Sequence, residues 1–97
     1  MSLARNPDEF YKKLKDHLYK TASWPTEYLY KFIVPTSKDK IKTIEDLFDN
    51  LGAVIHTTES KNGNYTSVSI NVQMNDPEAV ILKYREVALH VEGVISL

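Results

Sequence analysis

Between Glu59 and Met74 the chain reads ESKNGNYTSVSINVQM, and the second half of this stretch alternates without a break. Side chains leave a strand on opposite faces in turn. Val68, Ile70, Val72 and Met74 therefore share one face, while Ser67, Ser69, Asn71 and Gln73 share the other. A strand of this kind requires a sheet with one buried face and one polar face. The dipeptide Asn62-Gly63 tolerates the positive φ of a two-residue hairpin turn, so residues 54–60 are expected to return as the antiparallel partner.

The rest of the chain can be placed around that hairpin. Asn6-Pro7-Asp8-Glu9 combines a capping side chain, a proline suited to the first helical position and two acids near the positive end of a helix dipole. A helix is expected from there to about Thr21, with Phe10, Leu14 and Leu18 as an apolar stripe. Ser23-Trp24-Pro25 stops it, because the residue before a proline is steered out of the α region. Residues 26–34, TEYLYKFIV, are dense in aromatic and β-branched side chains and read as a central strand. Tyr30, Phe32 and Val34 form one face of it, and Leu29, Lys31 and Ile33 form the less buried one.

A second helix follows Pro35-Thr36-Ser37. Ile41, Ile44, Leu47, Phe48 and Leu51 are its expected core stripe, and Gly52 is its left-handed terminator. Asp76-Pro77-Glu78 opens a third helix, expected to turn Val80, Ile81, Tyr84, Val87 and Ala88 inward and to end near His90. The run 94–97 reads as a last strand. The order is thus an added N-terminal helix (about 5–22) followed by strand, helix, strand, strand, helix, strand (24–97), in one domain of 97 residues. This is the α+β, ferredoxin-like βαββαβ sandwich, with a four-stranded antiparallel sheet and two helices on one face. The first and third strands are expected in the centre, with the opposite sheet face open.

Composition narrows the function classes. There is no cysteine, so disulfides, thiolate metal sites and a thiol nucleophile are excluded, which fits a reducing cytoplasm. Nothing approaches the ~18 apolar residues of a membrane span, and the beginning of the chain lacks a signal-peptide core. Met1-Ser2-Leu3 reads as a cloning remnant. A net charge of −1 argues against a general nucleic-acid footprint. His17, His56 and His90 lie on separate elements without ligand spacing, so no metal and no cofactor are expected. No serine sits in a Gly-x-Ser-x-Gly elbow, and the expectation is that the chain is not an enzyme.

Two stretches resemble the YbeD-like family of small bacterial proteins of unknown function. One is Trp24-Pro25 leading into Tyr28-Leu29-Tyr30-Lys31. The other is Ser60-Lys61, Gly63-Asn64-Tyr65 and Ser67-Val68-Ser69, similar to that family's Ser-Lys-Gly-x-Tyr-x-Ser-x-Ser hairpin. Asn62 is one residue more than that pattern holds. The resemblance implies a ferredoxin-like fold close in shape to ACT domains, no established activity, and a regulatory or accessory role, since members are often encoded near lipoate-attachment enzymes.

The candidate binding surfaces are the polar strand face of Ser67, Ser69 and Asn71 with Lys31, and the hairpin tip of Lys61, Asn64 and Tyr65. The plain alternative for the first is a solvated sheet face. For the second it is turn chemistry, with Tyr65 packing across the hairpin. The leading expectation is a non-catalytic regulatory or protein-interaction module with a protein partner. A small-molecule sensor of ACT-like type using the open sheet face is the alternative. RNA binding is a weaker one, because Ser67 and Ser69 stand where stacking rings are needed. ACT domains bind amino acids beside a glycine-bearing loop after their first strand, and Pro35-Thr36-Ser37 has no glycine. Phe10, Leu14 and Leu18 are candidates for a homodimer contact if they do not cover the chain's own body.

Overall fold

The computed structural model describes residues 7–97. The cap expected of Asn6, and Met1-Ser2-Leu3, lie outside the described residues. The elements run α1 (Pro7–Thr21), β1 (Thr26–Pro35), α2 (Lys38–Leu47), β2 (Val54–Glu59), β3 (Tyr65–Met74), α3 (Pro77–His90) and β4 (Ile95–Ser96). The four strands form one sheet in the order β2-β3-β1-β4, with every neighbouring pair antiparallel. This α+β architecture, with β1 and β3 central, is compatible with a ferredoxin-like fold.

Alternation along the two central strands divides the sheet into two unlike faces. Tyr30, Phe32, Val34, Val68, Ile70 and Val72 are buried on one side, where they meet Ile44 and Phe48 and Val80, Ile81, Tyr84 and Val87 of α3. Burying an aliphatic or aromatic side chain of this size stabilises by about 1.5–3 kcal/mol, so this layer dominates folding. Tyr30 is fully buried, its ring 5.0 Å from Phe48 and 4.9 Å from Tyr84 between centroids, both edge-on. Its hydroxyl donates to the Val80 carbonyl at 3.0 Å, so the polar tip is satisfied inside the core.

The helix starts follow the sequence signals. Ser37 caps α2 by accepting from the Lys40 amide at 3.3 Å. Asp76 caps α3 by accepting from the Ala79 amide at 2.8 Å, with Pro77 in the first turn. The helix ends are less regular. α2 stops at Leu47, Phe48 stays buried as its C-cap, and Asn50 as well as Gly52 takes a positive φ. The chain therefore turns before a further helical turn forms, and Leu51 points outward, 40% exposed instead of joining the core. The Lys83 ammonium donates to the Leu47 carbonyl at 2.5 Å, satisfying one of the acceptors that the helix end leaves open. On α3, Ala88 is exposed and Val91, just past the helix, is buried in its place.

α1 packs beside α3 on the helical side and leaves the other sheet face alone. Leu18 is buried, Leu14 and Tyr11 are half-buried against the core, and Phe10 remains 40% exposed. Arg85 of α3 lies 4.7 Å over the Tyr11 ring and pairs with Asp8 at 2.9 Å. Most of the stripe considered for dimerisation therefore covers the chain's own body. The Trp24 indole donates to the Leu18 carbonyl at 3.2 Å, and the Trp24-Pro25 bond that follows is cis.

The open sheet face as the candidate functional site

The register of the three ladders places the open face row by row. Leu29 stands opposite Asn71, which stands opposite Val54; Lys31 opposite Ser69, and Ser69 opposite His56. Ile33 lies between Ile95 on β4 and Ser67, with Thr58 beyond. Tyr65, opposite Pro35, closes the face at one end. The result is a half-buried polar column on β3 (Ser67, Ser69, Asn71) between two flanks. The β1–β4 flank is apolar apart from Lys31: Leu29 and Ile95 are each 51% exposed, and the Leu97 amide donates to the Lys31 carbonyl at 2.9 Å, which sets Leu97 beside Lys31. The β2 flank carries Val54, His56 and Thr58, all exposed.

Of the residues expected to form a site, Lys31, Ser67, Ser69, Asn71 and Tyr65 come together on this face, with Lys31 directly across from Ser69. Lys61 and Asn64 do not; they sit in the hairpin loop. That loop differs from the two-residue turn expected from Asn62-Gly63. Ser60 and Tyr65 form the last rung, with the Ser60 amide donating to the Tyr65 carbonyl at 2.7 Å, so the four residues Lys61 to Asn64 make the connection. The Gly63 amide closes a turn onto the Ser60 carbonyl at 2.8 Å, and only Gly63, at φ +75°, takes the left-handed conformation. Lys61 and Asn62 are thus the central turn residues. Tyr65 is half exposed, and its amide donates to the Ser60 hydroxyl at 3.1 Å.

Sequence reasoning missed His56, Val54 and Thr58, which the hairpin register brings opposite the polar column, and the apolar contribution of Ile95. The period-2 pattern of β2 could have found the first three. Ile95 depends on a β1–β4 register that no local signal records.

The chemistry available on this face is recognition by contact: hydroxyls, an amide, one ammonium and an imidazole among aliphatic side chains. Among the described residues no group of three or more His, Asp or Glu is placed to hold a metal ion, and no helix is long and apolar enough to cross a membrane. Marked shifts in ionisation lie away from the face. Hydrogen bonding to Glu78 raises the Tyr19 phenol to about 12, and the same bond holds the Glu78 carboxyl below its usual range. Burial drives the Tyr30 and Tyr84 phenols well above theirs.

A small antiparallel α+β domain with one helical face and one uncovered sheet face is the class of protein that this geometry defines. The profile of the family DUF493, proteins of unknown function, matches residues 20–95, and the chain belongs to that family, the YbeD family. No curated protein and no solved structure matches the chain.

Proposed function

We propose that the protein is a non-catalytic, regulatory or accessory interaction module of the cytoplasm that docks a partner protein through the open face of its sheet. The observation carrying this reading is that the face is left uncovered by all three helices although Leu29, Val54 and Ile95 each expose half or more of their surface there. Apolar side chains grouped around a polar centre are what a recognition surface offers: the aliphatic groups supply affinity, and Lys31, Ser69 and His56 supply orientation. The strand order supports reading residues 24–97 as a ferredoxin-like unit to which α1 is an added helix. The absence of cysteine supports the cytoplasmic setting.

The test is quantitative capture from the source cell with three immobilised proteins: the wild type, the double variant Leu29→Asp/Ile95→Asp, and Leu89→Asp on the far side of α3. A partner should be retained by the wild type and by the Leu89 variant and lost at least tenfold with the double variant. Equal recovery on all three would sink the reading.

A further inference from the structure

A second surface lies on the edge of the sheet, next to the open face and sharing Leu29 with it. β1 is ten residues long, but β4 pairs only with Phe32 and Ile33, and the Leu97 amide adds one bond to the Lys31 carbonyl. Backbone groups alternate in direction along a strand, so the N–H and C=O of Leu29 and Glu27 point to the same side as those of Lys31. Among the described residues no strand pairs with that side of β1 between Thr26 and Tyr30. Its other side is held residue by residue against β3, from Tyr30 opposite Ile70 to Thr26 opposite Met74, which fixes the backbone of this edge. Proteins ordinarily blunt such an edge with proline, lysine, a bulge or a covering element. Among the described residues only the Glu27 carboxylate stands on it.

A cavity of about 190 Å³ opens on the helical side of this edge, lined by Phe10, Tyr11, Leu14, Tyr28, Tyr84 and the last two residues of the chain. The Tyr28 and Tyr84 hydroxyls share one hydrogen bond at 2.8 Å, and the rest of the lining is chiefly apolar. The volume is below the ~300 Å³ at which pockets for whole small molecules begin and suits one large side chain. The cavity lies between Leu97 and Tyr28, along the line that a continuation of the β4 ladder would follow.

We propose that the free edge of β1 receives an extended segment of a partner protein as an added antiparallel strand, continuing the β4 ladder and seating one large apolar side chain in this cavity. The register specifies the segment. The residue opposite Tyr28 shares its face and enters the cavity. The residue before it lies beside Leu29 and is apolar. The residue after it lies opposite Glu27 and is Lys or Arg, since opposite charges across a ladder attract and like charges repel. Two N–H and two C=O groups supply the main-chain bonds, and the anchor supplies specificity, as in other strand-addition complexes.

The test is a panel of acetylated and amidated peptides Ser-Thr-Val-X-Lys-Thr-Ser, with X as Leu, Ile, Met or Phe, titrated by NMR into the intact protein. At least one member should shift the amides of Glu27 to Tyr30 and slow exchange at Glu27 and Leu29. Replacing X by Asp, or Leu29 by Pro in the protein, should weaken binding at least tenfold, and replacing the peptide lysine by Glu about threefold. Leu29→Pro removes the outward donor while leaving the β3 ladder intact. Phe10→Asp, on the exposed end of α1, tests the cavity if the proline variant does not fold. The proposal is overturned if no peptide binds at millimolar concentration or if binding survives both protein variants. It is overturned equally if the shifts centre on Ser69 and His56, or if the amide of the free amino acid X reproduces the peptide's effect.

Discussion

The two faces of the one sheet are built from the same strands, alternate residue by alternate residue, and they have little else in common. Phe32 is fully buried, whereas Leu29, three positions earlier and just as apolar, is half exposed. On β3, Val68 is sealed beneath the helices while Ser69 looks out toward Lys31 and His56. The helical face is accounted for by the free energy of folding. The open face buries far less of its apolar surface, and its composition calls for a different explanation. Recognition is the one advanced above.

That contrast can be broken by substitution, starting with the largest effect. Phe32→Ala should cost about 3–5 kcal/mol, since a large buried ring leaves a cavity that close-packed neighbours fill only in part. The melting temperature should then fall by more than about 10 °C, and a drop no larger than that of Leu29→Ser would contradict the assignment of the faces. Alkaline unfolding probes the same core. The Tyr30 and Tyr84 phenols titrate above their ordinary value because burial favours the neutral form. Their contribution is therefore complete below about pH 10, the unfolded value, and is lost as pH rises beyond it. The loss is at most about 1.4 kcal/mol per group per pH unit. Denaturant midpoints measured from pH 8 to 11 should fall above pH 10 in the wild type and more gently in Tyr30→Phe.

Smaller effects follow from single hydrogen bonds. Asp76→Ala removes the α3 cap and should cost about 1 kcal/mol by chemical denaturation. At neutral pH Tyr30→Phe should cost a similar ~1 kcal/mol, through the bond to the Val80 carbonyl. At the far end, Lys31→Ala, Ser69→Ala and His56→Ala should each stay within about 0.5 kcal/mol of the wild type. A loss above 1 kcal/mol at any of the three would mean that the open face is itself structural, and the comparison would have to be redrawn.

What could be read from the sequence sorts along the same division. The buried face was legible because Val68, Ile70 and Val72 repeat with the period of a strand, and Tyr30, Phe32 and Val34 repeat it next door. Helix starts were legible from Ser37, Asp76 and Pro77, where a side chain meets a specific backbone donor. Helix ends were not. Leu51 continues the spacing of Ile44 and Phe48, but the helix has ended at Leu47 and the left-handed Asn50 turns the chain away before it. Ala88 was misplaced for a related reason: a small residue fits either side of a helix, and the core closed on Val91 beyond the helix end. The hairpin loop was misjudged because Asn62-Gly63 fixes where a turn occurs without fixing how many residues surround it. Of the candidate site, the polar column and Lys31 were legible from alternation alone. Its apolar flank was legible only in part: Leu29 and Ile33 fall on the less buried face of β1 by the same alternation, whereas Ile95 joins them only through pairing at long range.

The seat of α1 has a consequence for where this protein begins as a physical object. The family match starts at residue 20, so nearly all of α1 precedes it, yet Leu18 is buried and Tyr11 lies against Tyr84 with ring centroids 6.3 Å apart. The stretch matched by the family and the stretch packed into the core thus begin at different places. A chain cut at residue 20 would keep every strand and still present Tyr84 and Trp24 to water, losing the indole's acceptor on Leu18. The helix is expected to melt in the same transition as the sheet, because Leu18 and Tyr11 are packed against the same core.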